Sequence, residues 1–401
     1  MQLLVFAHTP PPVHGQSLMV QTLVEHLPAA VPSLKLHHVN PRLSHDAADI
    51  GRWRPAKAFT LLAACFRALA LRAHHGSMAF YYVPAPGKRS ALYRDFIVML
   101  LCRPFFPTLI LHWHAVGLGE WLHTHATAPE RWLAQRLLGR ADLALILAPE
   151  LAADAQFLAA RRTAVVPNGR DVTKTQNSKP KTQNSAAPGP TSELETQNSK
   201  PKTQNPAPRN AEPRTRNSTE VLYLGLCSRE KGIFDTLTAL AIANRRIPGG
   251  FHLTVAGCFA SISDQHAFFS QVLALGREHV RHVGFANDAE KHALFAAADV
   301  FCFPTSYPHE GQPLALIEAL AHDLPIVTTR WRAIPSMLPA ASEHLHFVDP
   351  GRPDHIADAL VALRRTAPPA GTLRAHYLAH FTREHHLAAL AAALGTLSYN
   401  R

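Results

Sequence analysis

Short continuous apolar runs and longer segments with helical spacing alternate along most of this chain. The short runs suit strands buried on both faces, and apolar positions three and four apart suit helices that cover them. Early in the chain the pattern predicts strands at Gln2–Ala7, Leu34–Val39, Met78–Val83, Thr108–Trp113, Leu143–Leu147 and Thr163–Val166. Helical spacing fills most of the gaps, as at Ser17–His26, Pro55–Ala73 and Glu130–Leu138. Later strands are predicted at Val221–Leu224, His252–Ala256, Val280–Val283, Val300–Pro304, Pro325–Thr328 and Leu345–Val348. Between them lie helices at Gly232–Asn244, Ser263–Gly276, Ala289–Ala297 and Pro313–Ala321, and two more close the chain. Strand–helix alternation implies parallel sheets with helices on both faces. The expected class is α/β, with two doubly wound domains and a cleft between them. Ligands in such folds sit beyond the carboxyl ends of the strands.

The rhythm breaks at residues 171–220. TQNSKPKTQN occurs at Thr175–Asn184 and again at Thr196–Asn205, amid Pro, Ser, Asn and Lys. So few large apolar residues cannot offset the entropy of ordering, so a disordered linker is expected there. It separates a first domain, residues 1–170, from a second, residues 221–401. The composition, 47 % hydrophobic and 17 % charged, allows full-sized cores in both. The net charge of +11 is uneven: residues 1–170 hold 17 Lys/Arg against 9 Asp/Glu, whereas residues 221–401 hold 15 of each. A basic first half suits a phosphorylated substrate, an anionic lipid surface or simply a soluble face. No RNA motif, zinc finger or helix-turn-helix signature accompanies it, which argues against nucleic acid.

The five cysteines, Cys65, Cys102, Cys227, Cys258 and Cys302, form no CxxC pair and read as reduced, buried residues of a cytosolic protein. The start, MQLLVFAHTPPP, lacks the basic leader of a signal peptide, and no uninterrupted apolar run is long enough for a membrane span. A cytoplasmic location is therefore expected, with peripheral contact at the inner face of the cell membrane as an option. The stretch Trp53–Arg72 is apolar with basic residues along it. It suits either an amphipathic helix on an anionic membrane or, the better fit to the pattern, an ordinary covering helix of the domain.

The richest chemistry lies in Phe301–Leu320, FCFPTSYPHEGQPLALIEAL. A strand is expected to end at Pro304. A polar loop then carries Glu310, Gly311 and Gln312, and Pro313 opens a helix, where proline is tolerated. The first-turn amides of that helix would form a ready phosphate site. Glu310 and Glu318 either face a ligand across the helix start or serve as a cap and a solvated face. Glu318, between Ile317 and Ala319, needs a partner if it is buried.

In this setting the E-x7-E spacing of Glu310 and Glu318 resembles the donor-site signature of the retaining GT-B-fold glycosyltransferases, glycosyltransferase family 4 or group 1. Other segments resemble that family in the same order: HTPPPVHGQS (His8–Ser17), HWHAVG (His112–Gly117), VVPNGRD (Val165–Asp171), LGLCSREKG (Leu224–Gly232), LTVAGC (Leu253–Cys258), VGF (Val283–Phe285) and AADVFCFPTS (Ala297–Ser306). The resemblance covers nearly the whole chain outside the insert.

It implies two Rossmann-like domains facing across a cleft, the last helix packing back on the first domain, and transfer of a hexosyl group from a nucleotide sugar. Lys231 would contact the donor diphosphate and Glu318 the ribose. Glu310 would contact the transferred sugar, with backbone amides of Gly311, Gln312, Pro313 and Leu314 belonging to the phosphate site except at the proline. Gly15 would allow close backbone approach across the cleft, and His114 would sit beside the reacting sugar. The chain lacks a DxD carboxylate pair, so neither metal nor cofactor is expected. The implied acceptor is a glycan or a lipid-linked one, in bacterial surface polysaccharide or lipopolysaccharide assembly. Two positions depart from the family pattern. Leu226 stands where Arg is usual, with Arg229 nearby as a substitute, and Asp323 replaces a common glycine. A same-fold epimerase or phosphorylase, or an idle partner subunit, remain alternatives. His112 reads as incidental, and His309 stays open.

Overall fold

The computed structural model describes residues 1–42, 55–172 and 218–397, so both TQNSKPKTQN copies, and Trp53 with Arg54, lie outside the described residues. Twelve strands form two six-stranded parallel sheets among these residues. The first contains β1 (Gln2–Phe6), β2 (Lys35–Val39), β3 (Ala79–Tyr82), β4 (Thr108–Trp113), β5 (Leu143–Ile146) and β6 (Thr163–Val165), in the order β2-β1-β3-β4-β5-β6. The second contains β7 (Thr219–Leu224), β8 (Phe251–Ala256), β9 (Val280–Gly284), β10 (Val300–Phe303), β11 (Ile326–Thr329) and β12 (Leu345–Val348), in the order β12-β11-β10-β7-β8-β9. The chain changes direction across the sheet between β1 and β3 in the first lobe and between β7 and β10 in the second. At these switch points neighbouring loops diverge and leave a crevice.

Period-two alternation sorts the first sheet's side chains onto two faces. Leu4, Phe6, Phe80 and Tyr82 join one core, under helices Pro55–His75, Arg89–Cys102 and Ala128–Leu137. Leu3, Val5, Tyr81 and Ile110 join the other, under helix Gly15–Ala30. That second face is closed by Leu387, Leu390 and Leu394 of the last described helix, Arg383–Gly395, which thus packs on the first lobe. The second lobe has a single large core built on Tyr223, Phe251, Phe301 and Ile317.

Several local readings are corrected. Three helices close the chain, not two: Pro353–Leu363, Thr372–His380 and Arg383–Gly395. The first helix runs past the expected His26 through Pro28 to Ala30, because a proline near the end removes one hydrogen bond without stopping the turn. Pro313 is the residue before helix Leu314–Ala321, with an extended backbone, and does not belong to its first turn. Cys258, at the end of β8, is exposed, unlike the other four cysteines. Helix Pro55–His75 covers the sheet with Leu61, Cys65 and Ala68, yet it also leaves Phe59 and Phe66 in solvent. Among the described residues, no helix is long and apolar enough to cross a membrane.

Candidate active site

The loops after β7 and β10 meet at the second lobe's switch point, and glycine makes the approach possible. Gly232 has φ +80, and a Cβ there would sit 2.2 Å from the carbonyl oxygen of Pro304. Only glycine tolerates both the left-handed backbone and that contact. The amide of Ser306 donates to the Glu230 carbonyl at 2.7 Å, tying the two loops together. The Tyr223 hydroxyl donates to the carbonyls of Leu226 and Lys231 at 2.9 and 3.2 Å.

This places Lys231 Nζ 2.7 Å from Glu310 Oε2, and the Thr305 hydroxyl donates to the same oxygen at 2.9 Å. The ammonium also lies 4.5 Å from the ring centre of Tyr307 and 5.6 Å from that of Phe303. With the Lys231 and Glu310 side chains only 15 % and 7 % exposed, each charge depends on the other to be tolerated there.

Glu318 is buried on helix Leu314–Ala321, and the partner its burial requires is double. Its Oε1 lies 3.2 Å from Arg170 Nε and 3.3 Å from Lys291 Nζ. Asp288 closes the group, 2.6 Å from Arg170 Nη2 and 2.8 Å from Lys291 Nζ. Two cations and two anions thus form one network. Arg170 follows β6, so the network joins the end of the first segment to the second lobe. The sequence reading passed over Arg170 and Lys291. Arg170 stood within the quoted VVPNGRD segment, but Lys291 carried no motif signal. Its i,i+3 spacing to Asp288 was the only clue.

The first lobe approaches closely. A Cβ on Gly311 would meet the His114 carbonyl at 2.3 Å, so this contact admits no side chain. A Cβ on Gly15 would lie 3.8 Å from Leu314, across the gap at the start of helix Gly15–Ala30. Gln312 does not present its side chain to a ligand: its Oε1 accepts from the Asn168 amide and its carbonyl from Asn168 Nδ2, both at 2.9 Å. His309 Nδ1 is 2.8 Å from the Val116 carbonyl, which can only accept, so His309 donates there and holds the lobes together.

His114 has no such tie. Both ring nitrogens are buried without a hydrogen-bond partner, 4.0 Å ring to ring from His112. Burial, with the charges His386 and His14 would carry, pushes the His114 imidazole down to about 3. Burial and the neighbouring Arg94 hold His8 at about 4, and burial with His8 does the same for His14. His8, His14 and His114 are therefore neutral at ordinary pH. His14 Nδ1 accepts from the Ser17 amide at 3.4 Å, so its Nε2 carries the hydrogen and donates to His8 Nε2 at 2.7 Å. His112 Nδ1 is 2.5 Å from the buried Tyr81 hydroxyl, a structural partnership.

Arg229 is not brought to the Lys231–Glu310 pair. It is exposed and stacks on Phe234 at 4.8 Å. Leu226 is 44 % exposed on the same loop, so no cation occupies its position and the nearby arginine points elsewhere. Asp323 adopts φ +57 and accepts from the amides of Gly371, Leu373 and Arg374 at 2.7–3.0 Å, capping helix Thr372–His380. Its role is structural. Among the described residues, no group of three or more His, Cys, Asp or Glu side chains is gathered to hold a metal ion.

Residues 205–365 match the family described as glycosyl transferases group 1. Over 102 residues, 25 % of this chain, the sequence is 37 % identical to a phosphatidyl-myo-inositol mannosyltransferase of Mycobacterium leprae (strain TN). The match spans 26 % of that protein, about a quarter of its length. Among solved structures, sucrose-phosphate synthase from Thermosynechococcus elongatus superposes with a TM-score of 0.70 at 17 % identity, over 100 % of both chains. HepE of Anabaena in complex with UDP-glucose gives 0.63 at 15 % identity, over 98 % of this chain and 99 % of that one. The lipopolysaccharide outer core galactosyltransferase WaaB gives 0.63 at 12 % identity over 99 % of both. These structures share the GT-B architecture of two Rossmann-like lobes. The family match thus covers residues 205–365, less than half of the chain, and takes in Lys231, Glu310 and Glu318.

Proposed function

We propose that this protein is a retaining glycosyltransferase that moves a sugar from a nucleotide diphosphate donor to a glycan or lipid-linked acceptor. The observation that carries the reading is the buried Lys231–Glu310 pair at the switch point of the lobe that matches the family. Lys231 meets the donor diphosphate and offsets the charge that grows on it as the anomeric C–O bond breaks, the kind of stabilisation that dominates such reactions. The acceptor oxygen bonds the same carbon on the same face, and its proton leaves on the departing diphosphate. Glu310 turns to the hydroxyls of the transferred sugar, and Glu318, held by Arg170 and Lys291, to the ribose. His114, neutral and with both nitrogens free, gives an uncharged hydrogen bond beside the reacting carbon. No step needs a metal or cofactor. UDP-glucose in the Anabaena structure supports a nucleotide-sugar donor here. The lipid in the name of the mycobacterial relative supports an acceptor at a membrane, for which we place the protein on the cytoplasmic face during surface-polysaccharide or lipopolysaccharide assembly.

The test is release of nucleoside diphosphate from a panel of uridine and guanosine diphosphate sugars with lipid-linked acceptors. Release that requires acceptor and yields a product of unchanged anomeric configuration is expected. Folded protein that releases none from any donor contradicts the proposal and favours an idle subunit, the reading suggested by exposed Leu226.

A further inference from the structure

The first lobe's switch point lies between the ends of β1 and β3, and it holds a cation that the proposed reaction does not use. The two strands pair with Phe6 opposite Tyr82, so the loop that carries His8 and the loop of residues 83–88 leave the sheet side by side. Asp95 of helix Arg89–Cys102 is fully buried against the second of these loops. Its Oδ2 accepts from the Ala85 amide at 2.9 Å, and its Oδ1 from the Tyr82 hydroxyl at 2.6 Å. Arg94 Nε and Nη2 donate to the same Oδ1 at 3.0 and 2.8 Å.

A pair made for neutralisation alone would set both carboxylate oxygens against two nitrogens. Here Oδ2 is taken by the loop, and the side edge of the guanidinium meets Oδ1 alone. Nη1 has no acceptor among the described residues. With the outer hydrogen of Nη2 it forms two parallel donors, the geometry that grips a carboxylate or a phosphate. Arg94 is also enclosed and yet reachable. Burial acts against its charge, Asp95 more than restores it, and 34 % of the side chain is exposed. A cation in that state lines a concave surface. His8 borders it, since burial and the Arg94 charge together keep that imidazole neutral. Because His8 Nε2 accepts from His14, the His8 hydrogen sits on Nδ1, a further donor with no partner among the described residues. Arg94 is not among the charges that act on His114, so it stands apart from the proposed sugar site.

We infer that Arg94 and His8 form an oxyanion site in the first lobe, which binds a phosphate or carboxylate group on the acceptor and so selects acidic acceptors. Asp95 is its positioning residue, fixing Arg94 to the strand end and to the loop at once. Ligands of doubly wound sheets gather at such switch points, and the proposed donor takes that of the second lobe. The site deepens the acceptor half of the proposed function and rests on that reading.

Equilibrium titration of the full chain tests it, with octyl phosphate, octyl glucuronide and uncharged octyl glucoside below their micelle concentrations. At least one of the two anions is expected to bind about tenfold more tightly than the glucoside. A tighter octyl phosphate assigns the group to a phosphoester, and a tighter octyl glucuronide to an acidic sugar; either supports the site. Arg94→Gln/Asp95→Asn removes both charges, strands no buried carboxylate and should lose the preference. Arg94→Lys, a cation without the fork, should keep part of it, and Lys231→Ala in the other lobe should keep it all. His8→Phe leaves the Arg94–Asp95 pair intact and should weaken anion binding about threefold, a check that holds even if the double variant fails to fold. Equal binding of all three probes, or a preference that survives the double substitution, overturns the inference. So does a preference lost in Lys231→Ala, since the anion would then sit in the diphosphate site. A thermal shift by uridine diphosphate is read in parallel on every variant. Its absence from the parent counts against the donor reading alone, and its retention in the double variant shows that the lost preference is not lost folding.

Discussion

In the second lobe the polar groups at the cleft are charged and paired. Lys231 is matched by Glu310, and Glu318 by Arg170 and Lys291. The first lobe offers neutral groups instead: His114 with no partner, His8 and His14 sharing one hydrogen, and backbone carbonyls. Burial makes the difference. An imidazole enclosed without a carboxylate gives up its charge, whereas a carboxylate enclosed beside an ammonium keeps it. The lobes thereby divide the work of the proposed reaction. One meets the charge of the diphosphate, and the other shapes the sugar site without adding a charge of its own.

Removing a charge from the second lobe should break this division most severely. Lys231→Ala is expected to lower the transfer rate by about 10²–10³-fold, as loss of a group that stabilises a developing anion does elsewhere. Lys231→Arg should recover part of it, and initial-rate release of nucleoside diphosphate measures both. Glu318→Ala should come next. It leaves Arg170 and Lys291, whose side chains are 16 % and 13 % exposed, with only the exposed Asp288 as counter-charge, and costs roughly 3 kcal/mol in denaturant unfolding as loss of a buried partner does. A raised donor KM should accompany it, and Glu318→Gln should retain more stability.

Gly311→Ala probes the contact between the lobes. Its Cβ would lie 2.3 Å from the His114 carbonyl, and overpacking of this kind costs about 1–3 kcal/mol. The expected outcome is a lowered Tm with activity reduced less than in Lys231→Ala.

The remaining effect is in pH. His8 and His14 titrate at about 4 and His114 at about 3 in the folded protein, against an ordinary 6.5. The unfolded chain therefore binds protons first as pH falls below about 6.5, so stability drops from there toward pH 4 and is fully present above it. Tm measured from pH 7.5 to 5 should decline, and His114→Gln should shallow the slope. A Tm that rises on acidification would mean these histidines are charged, and the contrast between the lobes would fail.

Much of this arrangement was legible before any coordinates. Lys231, Glu310 and Glu318 stood in local motifs, and the strand-then-helix pattern placed the first two in loops after strands and Glu318 within the helix that follows. Glu318 even announced its need of a partner through the apolar residues beside it. The identity of that partner was hidden, because Arg170 reaches it only through the segment that returns from the first lobe to the second. Arg229 misled for the opposite reason. Its closeness in sequence to Leu226 suggested compensation, but the loop turns it onto Phe234. Gln312 was expected to offer a backbone amide, and its side-chain bond to Asn168, which joins the two lobes, carried no local signal. Periodicity found helix Pro55–His75 but not its outer face, since apolar residues on both sides of a helix look alike in sequence whether or not a neighbour covers them.

The most direct measurement is equilibrium binding of a nucleoside diphosphate and the matching monophosphate to the parent protein and to Lys231→Ala. The account predicts that the parent prefers the diphosphate by about tenfold or more, roughly 1.4 kcal/mol, and that the preference vanishes in the variant. A preference that persists unchanged in Lys231→Ala would contradict the assignment of this lysine to the donor diphosphate.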